Sequence, residues 1–283
     1  MSNSSHDGQA SRPVGLEHLS LYEDAVPDFI AAAVAGGADS VCLSVNHPGV
    51  LDDNARPALL AQIADANLTV SMGDGFLLNA GENLDGLKRR LDLLLELGGP
   101  YANACAFEPD AAKARNPALI EDQLGEFARL AGDAGVGVLI EFTPLSHVPT
   151  LAAAASLLAQ IDQPNLKIMV DTLHLARAGE GPEDIAEVDS GLFGYCQISD
   201  GASGIRDLDV YMAEAIYNRA IPGDGDLPLE RIVALLPSDI TVSAEVPSQE
   251  LKEQGVSSFE RVRRIIAGSR GVVERSEKLS TPA

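Results

Sequence analysis

The stretch VGVLIEFTPLSHVPTLAAAASLLAQIDQPNLKIMVDTLH (136–174) decides how this chain is read. It opens on a short, continuous apolar run and passes through a Pro- and Thr-containing loop. It then becomes an Ala- and Leu-rich segment (151–161) with apolar residues at three- and four-residue spacing. A second apolar run, LKIMVD, follows. The reading is strand, helix, strand. Strands that are almost wholly apolar, each followed by a helix, describe a parallel sheet covered on its outer face. Both strands of this unit end on a carboxylate, Glu141 and Asp171.

The same rhythm extends in both directions. Strand candidates lie at 15–21, 40–45, 68–72, 101–107, 136–142, 166–171, 194–199 and 240–246. Helical patterns occupy 26–35, 56–66, 84–97, 119–134 and 151–161, and Gly36-Gly37, Gly98-Gly99 and Gly135 stand where left-handed helix caps belong. Eight βα units in about 260 residues match a closed (β/α)8 TIM barrel. No GxGxxG follows the first strand to support an open doubly wound sheet, and no Ser/Gly-rich linker or charge block divides the chain. The expectation is an α/β fold in a single domain over residues 14–272. A disordered N-terminal arm is expected over 1–13 and a polar C-terminal tail over 273–283.

Composition narrows the partners. A hydrophobic fraction of 46% supplies a full core. The formal net charge of -22 repels phosphate backbones and anionic headgroups, so neither nucleic acid nor a membrane surface is an expected partner. Cys42, Cys105 and Cys196 lie far apart without a CxxC spacing, so neither a zinc knuckle nor a disulfide framework is expected. Cys42 and Cys196 sit in apolar runs and read as buried thiols. The opening residues, MSNSSHDGQASRP, contain no apolar run of signal type, and no stretch is long enough to span a bilayer. A cytoplasmic location is the expectation. Barrels of this kind often pair, which allows for a homo-oligomer, but no segment specifies an interface.

In a closed barrel the reactive groups sit at the carboxyl ends of the strands. The last four strands place an unusual residue there each time. VGVLIEF carries Glu141, LKIMVDTLH carries Asp171 with His174 three residues on, GYCQISD carries Gln197 and Asp200, and TVSAEV carries Glu245. Any one acidic residue at a strand end is more often a helix cap or a solvated loop residue, and DTLH could be a simple Asx cap. Glu141 and Glu245 are harder to dismiss, because they lie inside apolar runs where an unpaired carboxylate is costly. Three carboxylates and an amide oxygen converging on one point would repel unless a divalent cation accepts all four. All-oxygen ligation suits Mn, with Mg or Co as alternatives, better than a structural zinc. His174 could equally be a hydrogen-bonded core histidine; His47 and His147 follow strand ends and are candidates for the mouth.

These residues resemble a family. IEFTP, IMVDTLHLARAG, YCQISDG, RAIPGDGDLPL and SAEVPS follow, over 136–247, the order of the xylose isomerase-like superfamily of sugar isomerases and epimerases, which also contains keto-cyclitol and dehydroshikimate dehydratases. The first half is similar only through its βα rhythm and the AxxxGGADSV segment. The resemblance implies Glu141, Asp171, Gln197 and Glu245 as metal ligands, His174 on a substrate oxygen, and Arg206 and Arg219 on a substrate hydroxyl or carboxylate. Epimerases of free ketoses usually have His where this chain has Gln197, so the branch it resembles is that of hydroxypyruvate isomerase-like and dehydroshikimate dehydratase-like enzymes.

The chemistry such a site favours is proton abstraction next to a carbonyl, with Glu141 and Glu245 as acid and base and the metal stabilising the enediolate. The substrate is then a small polyhydroxy-carbonyl compound. An isomerase or epimerase of a sugar or related polyhydroxy-ketone is the first expectation. The alternative is a dehydratase (lyase) of a keto-cyclitol or dehydroshikimate-type substrate. A non-catalytic binding barrel is the third reading, and a DNA-repair endonuclease is disfavoured by five His and the acidic charge. The loops 46–50, 73–83 and 107–113 are expected to form the pocket rim. PGDG (222–225) reads as a turn rather than a phosphate cradle.

Overall fold

The computed structural model describes residues 12–78, 83–110 and 112–280, and in it the βα alternation closes on itself. Strands β1 (Val14–Glu17), β2 (Ser40–Ser44), β3 (Thr69–Leu77), β4 (Tyr101–Cys105), β5 (Gly137–Glu141), β6 (Leu166–Asp171), β7 (Phe193–Ile198) and β8 (Thr241–Ala244) pair in chain order. Every pairing is parallel, and β1 against β8 completes the barrel. The expected TIM barrel is the fold.

The outer layer runs α1 (Val26–Gly36), α2 (Pro48–Leu51), α3 (Arg56–Asp65), α4 (Asp85–Leu97), α5 (Glu121–Asp133), α6 (Leu151–Ile161), α7 (Thr172–Arg177), α8 (Pro182–Glu187), α9 (Leu208–Tyr217), α10 (Leu229–Leu235), α11 (Gln249–Glu253) and α12 (Ser258–Ser280). The local signals act as read: α1 and α4 stop at Gly37 and Gly98, with φ of 78° and 76° that an L side chain rarely adopts. The main core lies between strands and helices, built from Leu, Ile, Val, Ala and Phe. A second, small cluster fills the barrel itself: Cys42, Met72, Leu139, Met169 and Tyr195. Above it the barrel interior turns polar.

Three boundaries differ from the sequence reading. The third strand does not end at 72 but runs through a bulge to Leu77, so residues 73–77 are barrel wall rather than rim loop. The remainder of that expected loop, 79–82, lies outside the described residues. At the far end α12 continues past 272 to Ser280, and Val272, Val273 and Ser276 on it are buried. Most of the expected arm, 1–11, is outside the described residues, but Arg12 is tied down: its guanidinium donates to the carbonyls of Val233 and Leu236. Among the described residues no helix is long and apolar enough to cross a membrane.

Candidate metal centre and active site

Glu141 closes β5, Asp171 closes β6, Gln197 lies next to last on β7, and Glu245 follows β8 directly. All four therefore reach the same end of the barrel. Asp171, Gln197 and Glu245 are buried, while the Glu141 side chain keeps 12% exposure and marks the open side.

Asp171 does two things. Its Oδ1 accepts from the backbone N–H groups of Leu173 (2.8 Å) and His174 (3.0 Å) and so caps α7. The Asx cap weighed from the sequence is real, yet it uses only one oxygen. The other, Oδ2, accepts from Arg219 Nη1 at 2.5 Å. Arg219 Nη2 lies 2.8 Å from Glu245 Oε2, and its Nε donates to the Ala215 carbonyl. One buried guanidinium thus ties two of the expected ligands together. Burial would raise the Asp171 carboxyl, but Arg219, His174 and the backbone donors outweigh it and hold it at about 2. For Glu245 burial prevails against Arg219, and its carboxyl lies well above the ordinary range.

His174 stands between the acids. Its Nε2 is 3.2 Å from Glu141 Oε1, and its Nδ1 is 2.7 Å from the Tyr211 hydroxyl, which is 2.6 Å from Thr143 Oγ1. With the tyrosine donating, a neutral imidazole carries its proton on Nε2, facing Glu141. Glu141 Oε2 accepts from Asn103 Nδ2 at 3.0 Å, and the same amide donates to Asp74 Oδ1 at 2.9 Å. Burial, then the charges of Glu141 and Glu17, push Asp74 up to about 7.

A fifth acid, Glu17, lies on the β1 wall. Glu17, the last residue of β1, accepts from the Tyr195 hydroxyl at 2.8 Å and from Gln197 Nε2 at 3.3 Å. Gln197 Nε2 also donates to Glu245 Oε1 at 3.2 Å. Burial raises the Glu17 carboxyl.

A divalent cation fits this set. Glu141, Asp171 and His174 each offer a ligand atom, and those atoms lie within 4.8 Å of one another. Gln197 Oε1 and Asn103 Oδ1 are buried without a hydrogen-bond partner, although every amide hydrogen-bond contact described above uses the nitrogen. Buried polar oxygens are seldom left so. Among the described residues Arg219 pairs with Asp171 and Glu245, while Glu17, Asp74 and Glu141 have no Lys or Arg ion-pair partner.

The remaining expected site residues make the following contacts. Arg206 sits on the loop after β7, where its guanidinium donates to the carbonyl of Ile205. Both ring nitrogens of His47 are engaged by the backbone, Nδ1 accepting from Gly49 N–H and Nε2 contacting the Tyr22 carbonyl. His147 Nε2 lies 3.9 Å from Glu108 on the rim. Asp200 is structural: its carboxylate accepts from the N–H groups of Gly201, Gly223 and Leu227 and holds the PGDG turn. A side chain at Gly225 would meet Asp200 Oδ1 at 2.3 Å, so that turn needs glycine.

The sequence reading missed Glu17, Asp74, Asn103, Tyr195 and Tyr211. The rule that found Glu141, a carboxylate closing an apolar strand, would also have flagged Glu17 in VGLE.

The comparisons fit this architecture. The model of the xylose isomerase-like TIM barrel matches residues 30–265. The chain belongs to that family. A 3-dehydroshikimate dehydratase of Pseudomonas aeruginosa is 26% identical over 218 residues, covering 74% of this chain and 33% of the relative. The chain thus spans about a third of the length of that curated relative. Among solved structures, a xylose isomerase-like TIM barrel/4-hydroxyphenylpyruvate dioxygenase fusion protein superposes with a TM-score of 0.81 at 20% identity, over 97% of this chain and 45% of the other. The IolI protein with a bound zinc atom superposes with a TM-score of 0.78 at 17% identity, over 93% and 98% of the two chains. Those structural likenesses concern the fold.

Proposed function

We propose that this chain is a divalent-metal-dependent lyase that removes water from a small polyhydroxy-carbonyl compound of the keto-cyclitol or dehydroshikimate type. The observation that carries the metal site is Gln197: a side-chain amide stands in the β7 position, its buried oxygen unpartnered among site carboxylates. The choice of dehydration rests on the dehydratase name of the sequence relative. An isomerase or epimerase, the first expectation from sequence, would share the opening proton abstraction and differ only in where the proton goes next.

Glu141, Asp171, Gln197 and Glu245, with His174 beside them, would hold the ion; Mn is the first candidate and Mg, Co and Zn are the others to try. A bound divalent ion supplies Lewis-acid polarisation of the substrate carbonyl. Glu141, the most open of the acids and hydrogen-bonded to Asn103, takes the proton next to the carbonyl. Glu245, across the barrel, is the acid of the pair and delivers a proton to the departing hydroxyl, which leaves as water while the C=C bond forms. His174 Nε2, its tautomer set by Tyr211, donates to Glu141 and orients its carboxylate. Asp171 stays ionised under Arg219 and has no part in proton transfer.

The test combines metal analysis with product identity. The purified protein, incubated with Mn, Mg, Co or Zn, should hold about one divalent ion per chain and convert 3-dehydroshikimate with a rise in ultraviolet absorbance from the new conjugation. Conversion of ketoses without that rise, followed by NMR, would replace dehydration with isomerisation or epimerisation. Absence of metal and of any turnover would leave the barrel as a binding module.

A further inference from the structure

We infer that Glu17 is a positioning residue that fixes the orientation of the Gln197 amide, and thereby turns a glutamine into a metal ligand. The inference rests on the reading of the barrel end as a divalent-metal site.

A glutamine in this place poses a problem that a carboxylate does not. A carboxylate presents two equivalent oxygens, whereas an amide has an acceptor end and a donor end of nearly equal shape. Rotated by half a turn, Gln197 would aim its NH2 at the cation and lose the contact. Something must make the two orientations unequal.

The neighbours of Nε2 do so. Gln197 Nε2 has Glu17 Oε2 at 3.3 Å on one side and Glu245 Oε1 at 3.2 Å on the other. With a divalent cation beside them both acids are held ionised and can only accept, so an amide oxygen turned toward this pair would meet oxygen on both sides. Glu245, itself placed among the ligands, cannot be relied on for this once its oxygens are shared. Glu17 can, because it is anchored from behind. Its Oε1 accepts from Tyr195 Oη at 2.8 Å, and Tyr195 Oη is 2.9 Å from Ser71 Oγ. Tyr195 and Gln197 are two residues apart on β7, so both side chains point inward and meet the end of β1 together. With Nε2 committed to Glu17 and Glu245, Oε1 is left buried and unpartnered. Outer partners of metal ligands typically change affinity 10–100-fold when lost.

The decisive variant is Glu17→Gln, which keeps the volume but can offer an NH2 to Gln197 and so removes the bias. Mn(II) affinity, measured by electron paramagnetic resonance titration of the otherwise intact chain, should fall about 10–100-fold. The melting temperature of the chelated protein should not fall with it. Loss of a negative charge alone would also weaken cation binding, so the same change is made on Gln197→Glu. There Glu17→Gln should cost less than about threefold, because a carboxylate has two equivalent oxygens and no flip to set. An equal loss in both backgrounds would overturn the inference in favour of simple charge, and so would Glu17→Gln binding Mn(II) as tightly as wild type. If Glu17→Gln does not fold, Tyr195→Phe carries the test: an affinity loss in the same direction, absent in Gln197→Glu, is expected, and no loss overturns the inference. A wild-type protein that binds no divalent ion would sink this inference together with the proposed function, whereas the other outcomes bear on Glu17 alone.

Discussion

Replacing Arg219 by Met should lower the stability of the chelated protein by about 3–5 kcal/mol, because it leaves two buried carboxylates facing each other without their cation. For a domain of this size that is roughly a 10 °C fall in Tm, read by thermal melts in the presence of chelator. The sign with pH follows from Asp171. Its carboxyl is held at about 2, below the 3.8 expected when unfolded, so its pairing stabilises the fold above pH 4 and that contribution is lost as pH falls toward 2. The gap between wild type and Arg219→Met should therefore close over pH 4 to 2. Arg219→Lys should recover only part of it. An ammonium has no planar fork with which to reach Asp171 Oδ2, Glu245 Oε2 and the Ala215 carbonyl together. Added Mn(II) should narrow the gap by supplying positive charge to the same carboxylates. An unchanged melt would mean that the Asp171–Arg219–Glu245 bridge contributes nothing to the fold.

That arginine shows where sequence reading stopped. The resemblance assigned Arg219 to substrate, and nothing in NRAIPGDG says that its guanidinium is enclosed against β6 and the end of β8. Pairing across a barrel is a tertiary fact with no local signature. The barrel itself was legible because its signals are local and repeated: apolar runs of strand length, Ala/Leu helices, and glycine at helix ends. The ends of β5 to β8 were legible for a related reason, since Glu141 and Glu245 break apolar runs where a charge is costly. Asp74 was hidden by its neighbours. In SMGDGFL the Gly-Asp-Gly reads as a turn, yet the strand continues through it. Gly75 takes φ +105°, and a side chain there would meet Asn46 Nδ2 at 2.3 Å, so the glycines serve a bulged strand that turns Asp74 inward. Tyr211 was hidden differently: nothing in DLDVYMAEAIY marks it out, and only the packing of α9 shows that the tyrosine hydroxyl reaches His174.

Asp74 gives the second large effect, and its sign is opposite to that of Asp171. Its carboxyl is pushed up to about 7 by burial and by the charges of Glu141 and Glu17, against 3.8 when unfolded. Between those values the native state holds a proton that the unfolded chain has released, so stability must fall as pH rises through that window. The penalty is absent below pH 4, grows through pH 5 and 6, and is complete above pH 7. A three-unit displacement corresponds to about 4 kcal/mol. Asp74 is only half-buried, so water screens part of this and a span of roughly 2–4 kcal/mol is expected. Asp74→Asn removes the titration while keeping an oxygen for Asn103 Nδ2 to bond. In chelator, urea denaturation of both proteins at pH 4 to 8 should give a stability difference that moves in favour of the variant by that amount. Any fixed cost of the amide shifts the whole curve and leaves the slope intact. A difference flat across the window would mean that Asp74 ionises freely beside Glu141. With Mn(II) bound, positive charge near Glu141 should lower the Asp74 carboxyl and flatten the slope, because the repulsion that helps to raise it is neutralised at its source.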